Sequence, residues 1–373
     1  MHILSVDLQD RRHVREFLEF PFTVYRNSSP WVPPLEMDAR RMLDARRHPF
    51  YRHSQAAFFL ALDRDSHPMG RLAVLHNRPF NDFNQQRTAF FYLFESLEEP
   101  RAAQALFEAG FDWARAKGLD RIVGPKGFTA MDGIGVLVSG FEHRPALGIP
   151  YNPPSYPRFL EAAGFQAMDE VVSGYLDART PFPEALHRAS ERIQQRRGLR
   201  VARFRTRRDL RAFVPRLRDL YNASLAGTID NTPLSAEDAD AMAQQMLWFA
   251  DPRLIKILMK DDDPVGFLFA YPDISAALQR TRGRLWPFGW IHLLRELRRT
   301  RWININGAAI IERYRGLGGT AILFSEMRRS VLEGGFLHAD LVQVGTANDR
   351  MQRELRELGI TFYKRHCMYE RYL

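Results

Sequence analysis

A chain that carries one pattern twice is constrained to fold as two copies of one unit, and this sequence repeats itself along its length. His2 to Leu18 (HILSVDLQDRRHVREFL) resembles Leu199 to Val214 (LRVARFRTRRDLRAFV), so that Arg11-Arg12 matches Arg207-Arg208. Pro68-Met-Gly70 before RLAVL matches Pro264-Val-Gly266 before FLFAY, and Leu160 to Phe165 (LEAAGF) matches Leu355 to Ile360 (LRELGI). All three landmarks keep nearly one offset. With 373 residues there is room for two ordinary domains. The expected copies are 1–180 and 201–373, joined by a basic helical connector over 181–200 that centres on Pro183 to Arg197.

Each copy reads in the same order. A strand and a helix come first, then a hairpin whose turn is polar: DRDSHP after Ala57 to Leu62, DDDP after Leu254 to Lys260. A strand running into a helix follows, then another strand (Arg121 to Gly124; Ala339 to Val344), a short helix and a closing strand. The expected class is α/β in the wider α+β sense. Each domain would be a mixed, mostly antiparallel twisted sheet flanked by helices.

The most informative stretch is Trp302 to Leu332, WININGAAIIERYRGLGGTAILFSEMRRSVL. An apolar run, Ile303 to Ile311, predicts a buried strand. Leu317, Ala321, Phe324, Met327 and Val331 recur at helical spacing. Between them lies Arg313-Tyr-Arg-Gly316-Leu-Gly318-Gly319-Thr320. Strand, glycine loop and helix N-terminus together make a phosphate cradle, because glycines permit close approach and the first helical amides are unbonded. No lysine stands where a Walker loop needs one, and the spacing is wrong for a dinucleotide fingerprint.

Arg313-Tyr-Arg-Gly316-Leu-Gly318 resembles the Gln/Arg-x-x-Gly-x-Gly/Ala pyrophosphate loop of the GNAT N-acyltransferase superfamily. The order of elements in both copies is similar to tandem GNAT proteins, among them N-myristoyltransferases, Fem-type transferases and bacterial ceramide-synthase-like proteins. The resemblance implies an acyl-CoA co-substrate and an amine acceptor. The amides of Arg315, Gly316, Leu317, Gly318, Gly319 and Thr320 would hold the pyrophosphate, with Arg313 and Arg315 adding charge. Ala309, Ile310 and Ile311 would bond the pantetheine arm, and Asn348 would open the flanking helix, where it equally suits a plain N-cap. In the first copy the matching stretch is Glu95-Ser-Leu-Glu-Glu-Pro100-Arg101. Carboxylates at a helix start repel a pyrophosphate, so the second copy is the expected CoA domain and the first is degenerate, acceptor-side or structural.

Where such enzymes often carry a tyrosine that protonates the leaving thiolate, this chain has about Leu355. Tyr363 is the substitute candidate. Asn306 is too weak a base, and Glu95, at the end of FFYLFE, is the candidate base unless it caps the next helix. Cys367 adjoins His366, but strand neighbours face opposite sides. With one cysteine no internal disulfide or cysteine metal cluster can form, and no metal is expected.

Each copy carries an extra segment. Gly124 to Tyr156 is rich in glycine, proline and aromatics and reads as a lid or wall, with Asp132, Tyr151, Asn152 and Tyr156 as its polar substrate-side candidates. Ser275 to Arg301 places Trp290, Leu293, Leu294 and Leu297 on one helical face among arginines, with Trp286 and Phe288 ahead of it. A basic amphipathic helix with tryptophans suits a membrane interface, so 284–301 is the expected peripheral contact.

The net charge is +9, with only five lysines among 53 basic residues. It suits phosphates of a cofactor, of lipid headgroups or of RNA. No apolar run reaches the roughly 18 residues of a membrane span, and no signal peptide is evident. The chain reads as cytoplasmic, peripheral at the inner membrane face. The leading expectation is acyl transfer from a CoA thioester to an amine, with a long chain and a sphingoid-type acceptor. The alternatives are a Fem-like aminoacyl-tRNA-dependent transferase, for which no coiled-coil arm is found and nucleic acid is disfavoured, and a non-catalytic acyl-CoA or lipid-binding protein.

Overall fold

The computed structural model describes residues 1–182, 184–224 and 232–373. Pro183, at the head of the expected connector, lies outside them. The chain forms two compact units: unit 1 is Met1–Val172, Ser275–His292 and Lys364–Leu373, and unit 2 is Ser173–Ile274 and Leu293–Tyr363. These are not contiguous halves. The first part of the second insertion, Ser275–His292, and most of the C-terminal strand, from Lys364 on, belong with the N-terminal copy.

Unit 1 is built on β1 (His2–Ser5), β2 (Gln55–Leu62), β3 (Pro68–His76), β4 (Thr88–Ser96), β5 (Arg121–Gly124) and β6 (Val136–Ser139). β7 (Gln166–Asp177) starts in unit 1 and ends in unit 2. Unit 2 has β8 (Leu199–Ala202), β9 (Ile255–Lys260), β10 (Asp263–Pro272), β11 (Trp302–Ile310) and β12 (His338–Gly345); β13 (Thr361–Tyr372) starts in unit 2 and closes unit 1. In unit 1 the order is β1-β2-β3-β4-β5-β13 with β6 also on β13, and in unit 2 it is β7-β12-β11-β10-β9-β8. Only β4–β5 and β11–β12 are parallel among the pairs whose register is defined. The duplication seen in the sequence is thus a duplicated sheet, β1 to β5 recurring as β8 to β12.

The helices follow the same repeat. In unit 1 they are α1 (Arg11–Glu19), α2 (Pro21–Val24), α3 (Glu36–Met42), α4 (Arg78–Asn84), α5 (Pro100–Ala116) and α6 (Tyr156–Ala162). Then come α7 (Glu184–Arg197), α8 (Arg207–Ser224), α9 (Ala236–Met246), α10 (Ser275–Thr281), α11 (Gly289–Arg299), α12 (Gly319–Glu333) and α13 (Asp349–Glu357). α5 buries Leu106, Phe107 and Phe111 against one face of the first sheet, with Phe91 and Leu72 beneath them. α12 does the same in unit 2 with Ile322, Phe324, Met327 and Val331 over Leu258, Ile303 and Ile305. On the opposite faces stand Phe17 of α1 and Leu220 of α8. Each helix therefore presents a stripe that only a sheet can cover, and burial of each such side chain contributes roughly 2 kcal/mol.

Candidate active site

In unit 2 the two central strands part. β11 pairs with β12 only over Trp302–Ile305 against His338–Leu341. Beyond that point β11 continues to Ile310 against β10 alone. A bulge marks the parting: Leu268 and Ala270 oppose Ala308 and Ile305, one residue more on β11, and Gly307 takes φ +98 there. On β12, Gln343 has φ +46 and gives its amide to Ser173 Oγ at 3.3 Å. Ile311 donates its amide to the Val265 carbonyl at 2.9 Å. By the alternation of an antiparallel pair Ala309 faces β10 as well, whereas Ala308 and Ile310 turn their backbone groups to the open edge. Of the three residues expected to bond the pantetheine arm, the geometry thus leaves the Ile310 amide on that edge, its carbonyl being taken by Arg315, and it adds Ala308.

The loop after β11 is a 3-10 turn, Glu312–Tyr314, followed by two glycines with positive φ, Gly316 at +77 and Gly318 at +88. Gly318 caps α12 without any side-chain bond. A Cβ on Gly318 would lie 2.3 Å from Ile193 Cδ1 and would require a left-handed backbone, so only glycine fits. Tyr314 and Arg315 give their amides to Ile311 and Glu312, and Ile322 gives its amide to Gly318. Between them, the amides of Gly316, Leu317, Gly318, Gly319, Thr320 and Ala321 meet no protein acceptor among the described residues. A run of amides at the positive end of a fifteen-residue helix is an anion cradle.

The charges around it differ in part from expectation. Arg313 is exposed, its guanidinium 5.0 Å from the Tyr314 ring. Arg315 instead ties the backbone, donating to the carbonyls of Ile310 and Ser224, each at 3.0 Å. Two arginines not singled out from sequence stand at the loop: the Arg350 Nη atoms lie 3.4 and 3.6 Å from where a Gly316 Cβ would be, and Arg197 reaches the Leu317 carbonyl at 3.4 Å. No motif marks either one; they arrive from α13 and α7. Asn348 is the N-cap of α13, accepting the Met351 amide at 3.1 Å.

Beside the fork, buried Tyr271 has its hydroxyl bonded by Asn306 Nδ2 at 3.2 Å. Burial pushes this phenol up to about 12, so it stays protonated at neutral pH. Asn304, in register with both Tyr271 and Asp340, donates to Asp273 at 3.4 Å. Tyr363 lies elsewhere, its ring 6.3 Å from Tyr175, which bonds His338 at 2.8 Å and packs on Trp302. Trp302 and His338 begin β11 and β12, whereas the glycine loop follows their far end.

Unit 1 has the same fork without the cradle. β4 pairs with β5 over Thr88–Phe90, and a bulge on β4 sets Tyr92 and Glu95 against Ala73 and Arg71, with Leu93 at φ +52. The Lys126 amide then bonds Phe91 O at 3.0 Å. α5 begins at Pro100, which has no N–H, and Glu99 caps it by accepting the Arg101 amide at 3.2 Å. Glu98 takes the Ser155 hydroxyl at 2.6 Å. Glu95 is therefore not the cap of that helix.

Glu95 is buried instead in a network. Its Oε2 lies 2.7 Å from the Tyr25 hydroxyl and 2.9 Å from that of Tyr156, and Arg71 stands 3.8 Å from Oε1. Burial raises the carboxyl to about 7, against the pull of Arg71 and the two phenols. The Tyr25 hydroxyl is also 2.8 Å from the Tyr151 carbonyl, so a protonated Glu95 can donate to Tyr25 while Tyr25 donates onward. This is a proton-holding site. Of the other candidates, Tyr156 belongs to it and also accepts the Ser96 amide, while Tyr151 lends it a carbonyl. Asn152 bridges both backbone groups of Leu137, and Asp132 closes a turn on the Thr129 amide at 2.7 Å, raised by burial to about 6. His366 is wholly buried with Nε2 on the Pro150 carbonyl, and Cys367 lies in the α5 core. Among the described residues, one group could ligate a metal, Asp63, Asp65 and His67; it is a hairpin turn in which Asp63 Oδ1 accepts the amides of the other two.

No family model matches the chain. Two curated proteins are similar to it almost end to end. One is Protein YghO of Escherichia coli K12, 23% identical over 97% of this chain and 93% of the relative. The other is described as a bacterial ceramide synthase, from Caulobacter vibrioides, 23% identical over 96% of this chain and 95% of the relative. Among solved structures, a tandem GNAT protein from the clavulanic acid biosynthesis pathway aligns with a TM-score of 0.58 at 11% identity, covering 100% of this chain and 98% of that one. The repeated five-strand order, the fork with its bulge and this alignment together identify the chain as a protein of the tandem GNAT fold.

Proposed function

We propose that the chain is an acyl-CoA-dependent N-acyltransferase that moves a long-chain acyl group onto a lipid-like, sphingoid-type amine at a membrane surface. The observation that carries the reading is the run of unbonded amides from Gly316 to Ala321 at the end of a strand that has parted from its neighbour. The pyrophosphate would lie on those amides, with Arg313, Arg350 and Arg197 supplying charge. The pantetheine arm would follow the open edge at Ala308 and Ile310. The C-terminal copy is then the CoA domain, and the carboxylate-capped α5 keeps that ligand from the first copy. The likeness to the Caulobacter ceramide synthase supports a lipid amine as acceptor.

Transfer needs a neutral amine, attack on the thioester carbonyl and a proton for the leaving thiolate. Tyr271 beside the fork and Tyr363 are the two candidates for the last task. Glu95 is a carboxyl poised to hold a proton near neutral pH, as a base for the ammonium requires.

Calorimetry with a long-chain acyl-CoA tests the reading. Gly316→Glu puts a carboxylate into the cradle and should lower affinity at least a hundredfold, with a stability loss of about 1–2 kcal/mol from the left-handed backbone there. Arg350→Glu should weaken binding about tenfold. Unchanged affinity in both variants, with native circular dichroism, would remove the site. Binding without turnover of any amine, sphingoid bases included, would leave an acyl-CoA-binding protein.

A further inference from the structure

The second insertion is anchored at its base and bare at its tip. Within unit 1, Gln279 donates to the carbonyls of Ser29 and Trp31 at 2.8 and 2.9 Å, and the Glu36 amide bonds Gly283 O at 2.9 Å. Arg282 lies 4.4 Å over the Phe22 ring, and Arg284 pairs with Glu19 and Glu36. The turn that follows is closed tightly, since a Cβ on Gly289 would lie 1.8 Å from Arg284 O. Trp290 Nε1 bonds the Pro287 carbonyl at 3.2 Å, which fixes the ring in place.

From this rigid base Trp286 projects 82% exposed, Phe288 69% and Trp290 45%. The helical face expected from sequence divides: Leu293 is buried, while Leu294, one turn beyond Trp290, is 47% exposed. Met37, next to the anchoring Glu36, is 63% exposed. Water-facing surfaces rarely gather so many large apolar groups without a partner. Arg280, Arg295, Arg298 and Arg299 are exposed and have no acidic partner among the described residues. Glu296 is the lone carboxylate between Ser275 and Arg301.

Aromatic side chains at the start of a helix that carries unpaired arginines further along match the boundary between acyl chains and anionic headgroups. A second copy of the chain fits less well, because a two-fold contact would set the same arginines against each other. We propose that this tip is a docking surface for an anionic phospholipid bilayer, Trp286, Phe288 and Trp290 entering the interface and the arginines meeting lipid phosphates. The proposal stands independently of acyl transfer.

Co-sedimentation of the full chain with phosphatidylcholine vesicles, with and without phosphatidylglycerol, tests it. Binding should require phosphatidylglycerol, weaken as salt rises and shift tryptophan emission to the blue. The double variant Trp286→Ala/Phe288→Ala should lose at least about tenfold in partitioning, the expected scale for burying one large apolar side chain. Arg295→Glu/Arg299→Glu should abolish the preference for the anionic lipid, and acyl-CoA affinity should be unchanged in both. Three results would overturn the proposal: no binding to phosphatidylglycerol vesicles, aromatic-variant binding equal to the parent, or loss of a lipid-free self-association in that variant.

Discussion

Two buried groups respond oppositely to pH, and this can be read one residue at a time. Glu95 is raised from 4.5 to about 7, so its neutral form favours the fold, and its contribution is lost as pH rises through that window. His366 is lowered by burial from 6.5 to about 4, so its contribution is lost as pH falls through that range. Glu95→Gln should therefore gain on the parent in thermal melts between pH 4.5 and 7, by about 3 kcal/mol over the window. A constant gap between the two proteins would contradict the burial argument. The same scale decides between the tyrosines: Tyr271→Phe should lower kcat at least about tenfold while Tyr363→Phe changes it little, since Tyr271 stands beside the fork and Tyr363 does not. Equal effects would return the role to Tyr363. The sequence exposed Glu95 as a carboxylate ending an apolar strand. It could not show that Tyr25 and Tyr156 reach that carboxylate from distant elements, nor that Arg71 faces it from the neighbouring strand.

The elements divide the arginines of the loop by task. Arg315 holds two backbone carbonyls from different elements with one planar fork, which an ammonium cannot copy. Arg315→Lys should cost about 1 kcal/mol or more in chemical denaturation. Arg313→Ala should weaken acyl-CoA binding and leave the denaturation midpoint alone. If the two variants exchange these behaviours, the assignment is reversed. Helix boundaries were legible because the buried stripe of α12 and the glycines before it are periodic signals. Which helix start keeps its amides open was half legible: the carboxylates before Pro100 are visible as letters, but the cap made by Glu99 and the Glu98–Ser155 bond are distances.

At the scale of the molecule, the C-terminal strand is the test. Tyr369 to Tyr372 pair with Gly124 to Arg121, and Cys367 and Tyr369 sit in the first core. A chain ending at Tyr363 should lose amide protection in unit 1, and hydrogen exchange that instead rises only in unit 2 would refute the division. Acyl-CoA should bind once per chain, because the duplicated sheets do not duplicate the open helix start. The sequence by itself determined the duplication, the order of elements in each copy and the glycine loop, since periodicity and offset are properties of neighbours along the chain. Tertiary structure alone decided that most of the last strand and the first part of the second insertion join the first unit, that Arg350 and Arg197 meet the loop, and that Glu95 lies among tyrosines. Such meetings depend on which surfaces bury each other, and that is settled by packing across long separations.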